Sequence, residues 1–273
     1  MMGESQMIGI IGVGNMGGAL VKGLIESGVY DPGHLLACDK REEAIKSISS
    51  QFGLQYCSSN ADLISKCSTV VFSVKPQNMR EVLEEVKGGI RDDHLLISIA
   101  AGIPFKTIHA FIDREIPIIR VMPNTPALVQ KGVSALAAGH MVTPEHMAIA
   151  RKIFGAVGET VEVEETMMDA VTALSGSGPG YVFRIMECMV DAGVDAGLER
   201  DVSVGLIVQT FLGAASLAKE SGNSLSSLRE MVTSPGGTTA AGLVTFDNMG
   251  LENIIKSAVR NALKRSIELG KDH

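Results

Sequence analysis

The sequence predicts an α/β fold in which a mostly parallel sheet, covered by helices on both faces, is followed by an all-α domain. From residue 7 to about 160, short apolar runs alternate with helical patterns, which is typical of such a sheet. After about residue 164, long segments rich in Ala, Leu and Met replace this alternation, and their spacing predicts helices. We therefore predict one domain over residues 1–163 and a second over 164–273, in line with about two domains for this length.

The first predicted strand, residues 7–11, leads through a glycine-rich turn into a helix. The turn and helix start have the pattern GxGxxG and comprise Gly12, Val13, Gly14, Asn15, Met16 and Gly17. The first glycine allows the tight turn, the second lets a pyrophosphate approach the backbone, and the third lets the helix close onto the strand. Helix N–H groups then face the phosphates, so residues 1–163 are predicted to form a Rossmann domain that binds a dinucleotide.

The second predicted strand, residues 35–38, ends on an acid, Asp39. An acid at this place favours the free ribose hydroxyls of NADH, whereas the cations that follow, Lys40 and Arg41, can accommodate the 2′-phosphate of NADPH. The sequence therefore predicts NADPH or NADH as the cofactor and leaves the preference between them open.

The rest of the sheet is predicted from further apolar runs, at 55–57, 69–74, 95–99, 117–121, 133–138 and 160–163. Helical spacing falls between them at 42–51, 60–66, 78–86 and 104–111. Thr143 and Pro144 have the form of a helix cap followed by proline at the first helical position.

Four stretches rich in Gly, Pro, Ser, Thr and Asn interrupt the regular elements, at 73–76, 122–126, 175–179 and 233–239. The first two follow strands, and ligands of open parallel sheets bind beyond the carboxyl ends of the strands. The last two each lead into a helix, where backbone N–H groups can cradle an anion.

The C-terminal part is predicted to form helices over 165–174, 180–196, 201–220, 224–232, 239–249 and 251–269. Residues 202–218 are apolar around nearly the whole helix, and such a helix must be buried on all sides. One small helical domain can scarcely bury it alone. We therefore predict that helices of two subunits interleave into a shared core, giving an obligate homodimer.

Composition argues against several classes of function. The formal charge of −7 and the absence of a Lys/Arg cluster argue against a nucleic-acid surface. The four cysteines form no CxxC pair and the six histidines show no ligand spacing, so neither a disulfide framework nor a metal site is predicted. No run of about 18 apolar residues occurs, and the first strand begins too early for a signal peptide. We expect a soluble, cytoplasmic protein with no membrane partner.

Five motifs together resemble one family, the pyrroline-5-carboxylate reductases: residues 11–17, 74–77, 122–126, 169–179 and 234–239. The resemblance spans the whole chain, and the last two motifs are highly specific. It implies that the Rossmann domain binds NAD(P)H, that the helical domain forms an interlocked dimer, and that dimers assemble into a decamer. The implied reaction is hydride transfer from nicotinamide to the C=N carbon of 1-pyrroline-5-carboxylate, which gives proline. One departure is Gly180, where the family more often has alanine; glycine weakens a helix start by under about 1 kcal/mol.

A cyclic imine carboxylate needs an anion cradle, a donor near its ring nitrogen and a hydride source facing its carbon. We assign the cradle to the backbone of Gly236, Gly237, Thr238 and Thr239, closed on the other side by Ser175, Ser177 and Gly178; an ordinary loop with helix caps is the alternative. Thr239 is the predicted catalytic residue, since its hydroxyl would hydrogen-bond the imine nitrogen, as the resemblance also implies. That hydroxyl is a poor proton source, so rate enhancement should come from orientation and charge stabilisation, with the proton already on the substrate or relayed by water. Glu165 is either a substrate ligand or a carboxylate that favours the dipole of its helix.

The remaining cofactor residues are assigned to strand ends and loops. Ser73, Val74, Lys75 and Pro76 are expected to wall the nicotinamide end of the cofactor, rather than Lys75 acting as a catalytic lysine. Ala100 and Ala101 are small enough for the dinucleotide to lie against the backbone, and Asn124 is expected to support the nicotinamide ribose or carboxamide; plain strand ends are the alternative. Asn60 is either a helix cap or an adenosine-side ligand, and the resemblance favours the cofactor.

Three other functions stay open at this point. A β-hydroxyacid dehydrogenase pairs similar domains but relies on a catalytic lysine after its helical-domain glycine turn, and residues 178–185 contain no lysine. A reductase of a different cyclic imine is harder to distinguish from a pyrroline-5-carboxylate reductase by these motifs. A non-catalytic NAD(P)-sensing protein would keep residues 12–17 but need not keep two remote glycine-rich turns.

Overall fold

The computed structural model describes residues 7–271, and its N-terminal part is built on an eight-stranded sheet. The strands are β1 (Ile8–Ile11), β2 (Leu35–Cys38), β3 (Gln55–Tyr56), β4 (Thr69–Phe72), β5 (Leu95–Ser98), β6 (Ile118–Pro123), β7 (Gly132–Ala138) and β8 (Gly158–Glu162). Their order in the sheet is β3-β2-β1-β4-β5-β6-β7-β8, and only β6 and β7 pair antiparallel. The mostly parallel sheet is therefore confirmed, and each predicted strand is present within two residues of its predicted ends.

Helices cover both faces of this sheet. The core on one face receives side chains from α1 (Asn15–Glu26), α2 (Glu42–Phe52) and α6 (Pro144–Gly155). The core on the other face receives side chains from α3 (Asn60–Lys66), α4 (Pro76–Val86) and α5 (Phe105–Ile112). Every residue of β1, β2, β4 and β5 is buried, which is the reason these strands read as continuous apolar runs.

The predicted cap of α6 is confirmed in its full form. Thr143 Oγ1 accepts a hydrogen bond from the His146 N–H, and the Thr143 N–H donates to His146 Nδ1, with Pro144 at the first helical position. Two backbone donors at the helix start are thus satisfied reciprocally.

The strand order reverses at β1, which lies between β2 and β4. Connections leaving β1 and β4 therefore diverge and open a crevice at their carboxyl ends, the place where open α/β sheets bind ligands. Two glycines make the turn after β1 possible. Gly12 has a φ of 94°, and a Cβ on Gly17 would lie 1.9 Å from the Gly12 carbonyl oxygen. Side chains at either position would push the helix off the strand.

The C-terminal part is helical, as predicted, but its first segment differs from the prediction. Instead of one helix over 165–174, a 3₁₀ turn (Glu165–Met167) leads into α7 (Met168–Val171) and a π-helical turn (Thr172–Gly176). The π-turn closes when the Ser177 N–H donates to the Thr172 carbonyl at 2.9 Å. The loop expected at 175–179 is therefore reduced to a bend at Ser177. The remaining helices are α8 (Gly178–Asp195), α9 (Arg200–Glu220), α10 (Leu225–Met231), α11 (Thr238–Asn248) and α12 (Leu251–Lys271).

The described residues form two compact units. One runs to Ser177 and includes the chain again from Ala262 onward, and the other is Gly178–Asn261. Within the second unit, α9 has its large apolar side chains largely exposed, among them Leu206 at 53% and Leu212 at 58%. In the part of the chain described, α9 is also the one helix long and apolar enough to cross a membrane, although a helix from the core of a soluble protein can meet the same criteria.

Candidate functional site

A cavity of about 700 Å³ lies at the carboxyl ends of β1, β2, β4 and β5. It brings together most of the residues assigned to the cofactor from sequence. Those that line it are Gly12, Gly14, Asn15, Met16, Asp39, Lys40, Asn60, Ser73, Val74, Lys75, Pro76 and Ala101. The cavity is within the size range of pockets that hold large organic ligands.

The start of α1 opens into this cavity without a side-chain cap. Gly14 is the N-cap residue, no side chain accepts from the first N–H groups, and the first turn holds no acidic residue. A Cβ built on Gly14 would meet nothing closer than Arg41 Nη2 at 3.8 Å, so the space over the helix start is open. Uncapped N–H groups, the positive end of the helix dipole and open space together suit a phosphate group.

Ser73 gives an independent sign that a polar ligand belongs here. Its hydroxyl Oγ is buried and has no hydrogen-bond partner in the described chain. Such groups usually have a partner, because a buried unsatisfied hydroxyl costs about 1 to 3 kcal/mol. The cavity therefore fits a dinucleotide in volume, in its backbone donors and in this unpaired hydroxyl.

Asp39 is fully occupied by donors from the protein. Oδ2 accepts from the Val13 N–H at 2.8 Å and from Arg41 Nη2 at 3.0 Å, and Oδ1 accepts from the Arg41 N–H and Nε. Burial acts to raise the pKa of Asp39, but the hydrogen bonds from Arg41 and Val13 together lower it below its ordinary value. The carboxylate thus fixes the glycine turn and holds the Arg41 guanidinium at the cavity wall, where Arg41 is also a lining residue.

Asn60 is not a helix cap, so that alternative is wrong. Ser59 caps α3 by accepting from the Asp62 N–H at 3.1 Å. Asn60 instead donates from Nδ2 to Glu85 Oε2 at 2.7 Å, with Glu85 reaching across from α4. The amide is thereby oriented at the cavity wall.

One face of α4 lines the cavity and was not assigned from sequence. Its residues Asn78, Glu81, Val82 and Glu85 recur at helical spacing. The sequence feature that could have identified this face is the i, i+3, i+4, i+7 spacing of these residues in a helix that directly follows residues 73–76 of the cofactor wall. Thr125 and Leu128, in the 3₁₀ turn Thr125–Val129, also line the cavity.

Four residues assigned to the cofactor do not line the cavity. Val13 and Ala100 are buried in the cores of the two faces, and Gly17 packs on the glycine turn. Asn124 accepts from the Val133 N–H at 2.9 Å and donates to Ser175 Oγ at 3.4 Å. In this structure Asn124 therefore ties the loop after β6 to β7 and to the π-turn.

A second cavity of about 200 Å³ adjoins this end of the sheet. Ala101 lines both cavities, and the smaller one is also lined by Thr172, Ser177 and Arg265. Ser266, another wall residue, donates to Asp169 Oδ1 at 2.7 Å, which ties α12 to α7. Ser177, assigned to the substrate, therefore lies in the wall of a small cavity beside the one assigned to the cofactor.

Glu165 has a clear structural partner. Its Oε1 accepts from Arg120 Nη1 and from the Phe105 N–H, each at 2.8 Å. The Arg120 side chain is only 9% exposed, so this pair neutralises a cation within the sheet. The dipole of a long helix does not explain Glu165, because the residue starts a three-residue 3₁₀ turn.

The turn before α11 presents a second uncapped helix start. Gly236 has a φ of 69°, and the Gly237 N–H donates back to the Ser234 carbonyl at 3.0 Å. Gly237 is the N-cap residue of α11, with no side-chain cap and no acidic residue in the first turn. Thr238 and Thr239 are the first two helical residues, and Gly178 likewise begins α8. The N–H groups at the α11 start are therefore available to an anion.

Family models match both parts of the chain. The model described as pyrroline-5-carboxylate reductase dimerisation matches residues 165–269. The model described as NADP oxidoreductase, coenzyme F420-dependent, matches residues 7–102. The first match supports self-association through the helical part.

Relatives match over nearly the full length. The pyrroline-5-carboxylate reductase of Methanosarcina acetivorans is 41% identical over 268 residues, covering 98% of this chain and 99% of the relative. Among solved structures, a pyrroline-5-carboxylate reductase from Coxiella burnetii is 34% identical with a TM-score of 0.93, covering 97% of this chain and 99% of that one. Plasmodium falciparum pyrroline carboxylate reductase, solved with NADP bound, is 32% identical with a TM-score of 0.86, covering 98% and 99%. The motif resemblance is thus confirmed: the chain belongs to the pyrroline-5-carboxylate reductase family.

Proposed function

We propose that this protein reduces 1-pyrroline-5-carboxylate to proline with a hydride from NAD(P)H. The observation that carries the oxidoreductase assignment is the uncapped start of α1 over a cavity of about 700 Å³ at the point where the strand order reverses. The substrate assignment is supported by relatives of that name at 41% and 37% identity over 98% of this chain.

In this proposal the cofactor lies along the large cavity, and its nicotinamide supplies the hydride. The N–H groups at the start of α1 bind the pyrophosphate, because Gly14 leaves the approach open. Residues 73–76 and Ala101 wall the nicotinamide end, and the Ser73 hydroxyl finds its missing partner there. Asn60, oriented by Glu85, faces the adenosine side.

We further propose that NADPH is preferred over NADH. The four hydrogen bonds to Asp39 use the acceptor sites with which an acid would bind free ribose hydroxyls. Asp39 holds Arg41 at the cavity wall instead, next to Lys40. A guanidinium and an ammonium suit the 2′-phosphate that only NADPH carries.

The substrate binds against the start of α11. Its carboxylate is held by the N–H groups of Gly236, Thr238 and Thr239, since the Gly237 N–H is bonded to the Ser234 carbonyl. Ser175, Ser177, Gly178 and Glu165 are the other residues assigned to the substrate. The Thr239 hydroxyl aligns the imine nitrogen as the hydride reaches the neighbouring carbon. Since a threonine hydroxyl is a poor acid, the proton is already on the ring nitrogen or arrives through water.

The assembly follows from the apolar helices. Residues 1–163 form the cofactor domain, and 164–273 form the dimerisation and substrate domain of an obligate homodimer. The exposed Leu206 and Leu212 of α9 support burial against a partner subunit rather than in a lipid bilayer. Dimers associate further into a decamer. The enzyme is soluble and cytoplasmic, with neither nucleic acid nor membrane as a partner.

The test is NADPH oxidation with and without 1-pyrroline-5-carboxylate, followed by substitution of Thr239. Thr239→Val should leave NADPH affinity unchanged and lower kcat/KM for the imine by about 10- to 1,000-fold, the effect of losing one oriented donor. Thr239→Ser should retain much of the rate. Thr238→Val is the matched control and should lower kcat/KM less, because we expect Thr238 to act through its backbone N–H more than through its side chain.

Each other outcome would support a specific alternative. NADPH binding without oxidation in the presence of the imine would favour a sensing protein. Oxidation with a different cyclic imine alone would favour a related reductase. A larger loss for Thr238→Val than for Thr239→Val would mean that the two threonines have exchanged roles.

A further inference from the structure

Three side chains that the proposed reaction does not use meet at the amino ends of the parallel strands, away from the cofactor cavity. They are His109, Glu115 and His140, and one ligand atom from each lies within 4.8 Å of those of the other two. His140 Nε2 is 3.1 Å from Glu115 Oε2. Ligands of a tetrahedral Zn²⁺ ion, at about 2.0 to 2.2 Å from the metal, lie about 3.3 to 3.6 Å apart. The spacing of His140 and Glu115 is therefore close to that of two zinc ligands, and His109 lies near enough to complete the set.

The antiparallel pairing of β6 with β7 brings the cluster together. The connection from α5 carries Glu115 to the start of β6. β7 ends beside that start, where the Gly139 N–H donates to the Ile118 carbonyl at 2.9 Å. His140 follows directly, so it reaches Glu115 although 25 positions of sequence separate them.

His109 is oriented by the end of its own helix. It lies in the last turn of α5, and Asp113 then adopts a left-handed φ of 52°, which turns the chain back along the helix. The Arg114 carbonyl is thereby placed 2.9 Å from His109 Nδ1. A carbonyl can only accept, so Nδ1 carries the proton and Nε2 keeps its lone pair. Metal-binding histidines are commonly held in this way by a backbone carbonyl.

Access and charge also suit a cation. The Glu115 and His140 side chains are 65% and 64% exposed, so an ion can enter from solvent and keep a water ligand. The ion pairs of Glu115 within the described residues are those with the two imidazoles. No lysine or arginine of the described chain has to leave before a cation binds.

We propose that His109, Glu115 and His140 bind a divalent first-row transition metal, with Zn²⁺ as the probe. Two imidazoles, a carboxylate and a water are a common zinc ligand set, whereas Mg²⁺ and Ca²⁺ prefer oxygen ligands throughout. The ion links the end of α5 to the segment between β7 and α6. Its binding therefore stabilises the folded state and raises the thermal unfolding midpoint.

The first experiment titrates Zn²⁺ into tag-free, chelator-treated and dialysed full-length protein by calorimetry. We expect one ion per chain for the wild type. Glu115→Gln and His140→Ala should each weaken binding by at least about 100-fold, because even loss of a residue that only supports a ligand costs about 10- to 100-fold. The control is His34→Ala, which removes a histidine of the 3₁₀ turn Pro32–His34 and should leave binding unchanged.

The second experiment uses Co²⁺, whose visible ligand-field absorption reports nitrogen and oxygen ligation in the wild-type protein itself. The spectrum should appear in wild type and His34→Ala and be lost in His140→Ala. NADPH affinity should be the same in all variants, which verifies their folding. Absence of Zn²⁺ binding by the wild type, or equal binding by Glu115→Gln and His140→Ala, would overturn the proposal. Neither readout depends on the proposed reductase activity.

Discussion

Gly14→Val should separate cofactor binding from folding. Gly14 has an extended backbone, with a φ of −65° and a ψ of −164°, and a Cβ at this position would lie 3.8 Å from Arg41 Nη2, an ordinary van der Waals contact. Valine is a poorer N-cap than glycine, which costs about 1 kcal/mol and lowers the unfolding midpoint by about 2 to 4 °C at this chain length. Its two methyl groups, however, occupy the space of the pyrophosphate.

The cost to binding follows from the hydrogen bonds that the methyl groups displace. Each bond from a backbone N–H to a charged phosphate is worth about 1.5 to 3 kcal/mol, so losing two raises the NADPH dissociation constant by roughly 10²- to 10⁴-fold. NADPH fluorescence titration measures this, with thermal unfolding in parallel. Gly17→Val is the contrast, because its Cβ would lie 1.9 Å from the Gly12 carbonyl oxygen and the fold itself should fail. Unchanged NADPH affinity in Gly14→Val would refute the placement of the pyrophosphate.

Three further predictions concern selectivity, assembly and pH. Arg41→Ala should raise the NADPH dissociation constant by about 10- to 100-fold and that of NADH far less, because it removes a charge-assisted bond to the 2′-phosphate. Arg80→Ala, which removes an exposed arginine of α4, is the control. Equal losses of affinity for the two cofactors in Arg41→Ala would contradict the assignment. Sedimentation at submicromolar concentration should show a dimer, and a compact folded monomer would reject the shared core, since α9 would then expose its leucines to water. Burial, aided by the charge of Arg91, lowers the pKa of His94, so the folded chain resists a proton that the unfolded chain accepts near about pH 6.5. The contribution of His94 to stability should therefore be fully present above about pH 6.5 and decrease below it. The decrease in the unfolding midpoint should be smaller in His94→Gln. Parallel curves of unfolding midpoint against pH for wild type and variant would show that His94 is not the cause.

Sequence reasoning worked best where the backbone conformation is encoded locally. The turn at Gly12 needs a positive φ, and the contact at Gly17 excludes any side chain, so glycines at these two positions identify the turn without knowledge of the rest. The buried parallel strands are equally local, because burial on both faces produces uninterrupted apolar runs. The remaining cofactor residues depend on which helix face meets the cavity, which is why Glu85 was missed although its spacing from Asn78 and Glu81 was visible.

The hydrogen-bond partners of polar side chains were harder to predict, because the fold brings several possible partners close to each of them. Asn60 could cap a helix, but Ser59 takes that place and Asn60 bonds Glu85. Asn124 was expected at the nicotinamide, yet its oxygen accepts from the Val133 N–H. Ser175 was expected in a loop, but the π-helical turn includes it, and a π-turn has no sequence signature as clear as a glycine turn.

The histidines show the same limit most clearly. Spacing along the sequence reveals metal ligands only when they share a helix or a tight turn, and His109, Glu115 and His140 share neither. Their meeting requires the left-handed residue at Asp113 and, above all, the reversal of direction between β6 and β7. A parallel β7 would have begun beside the start of β6 and carried His140 to the other end of the sheet. The reversal between β6 and β7 therefore places a cation-binding set of side chains at the end opposite the cofactor.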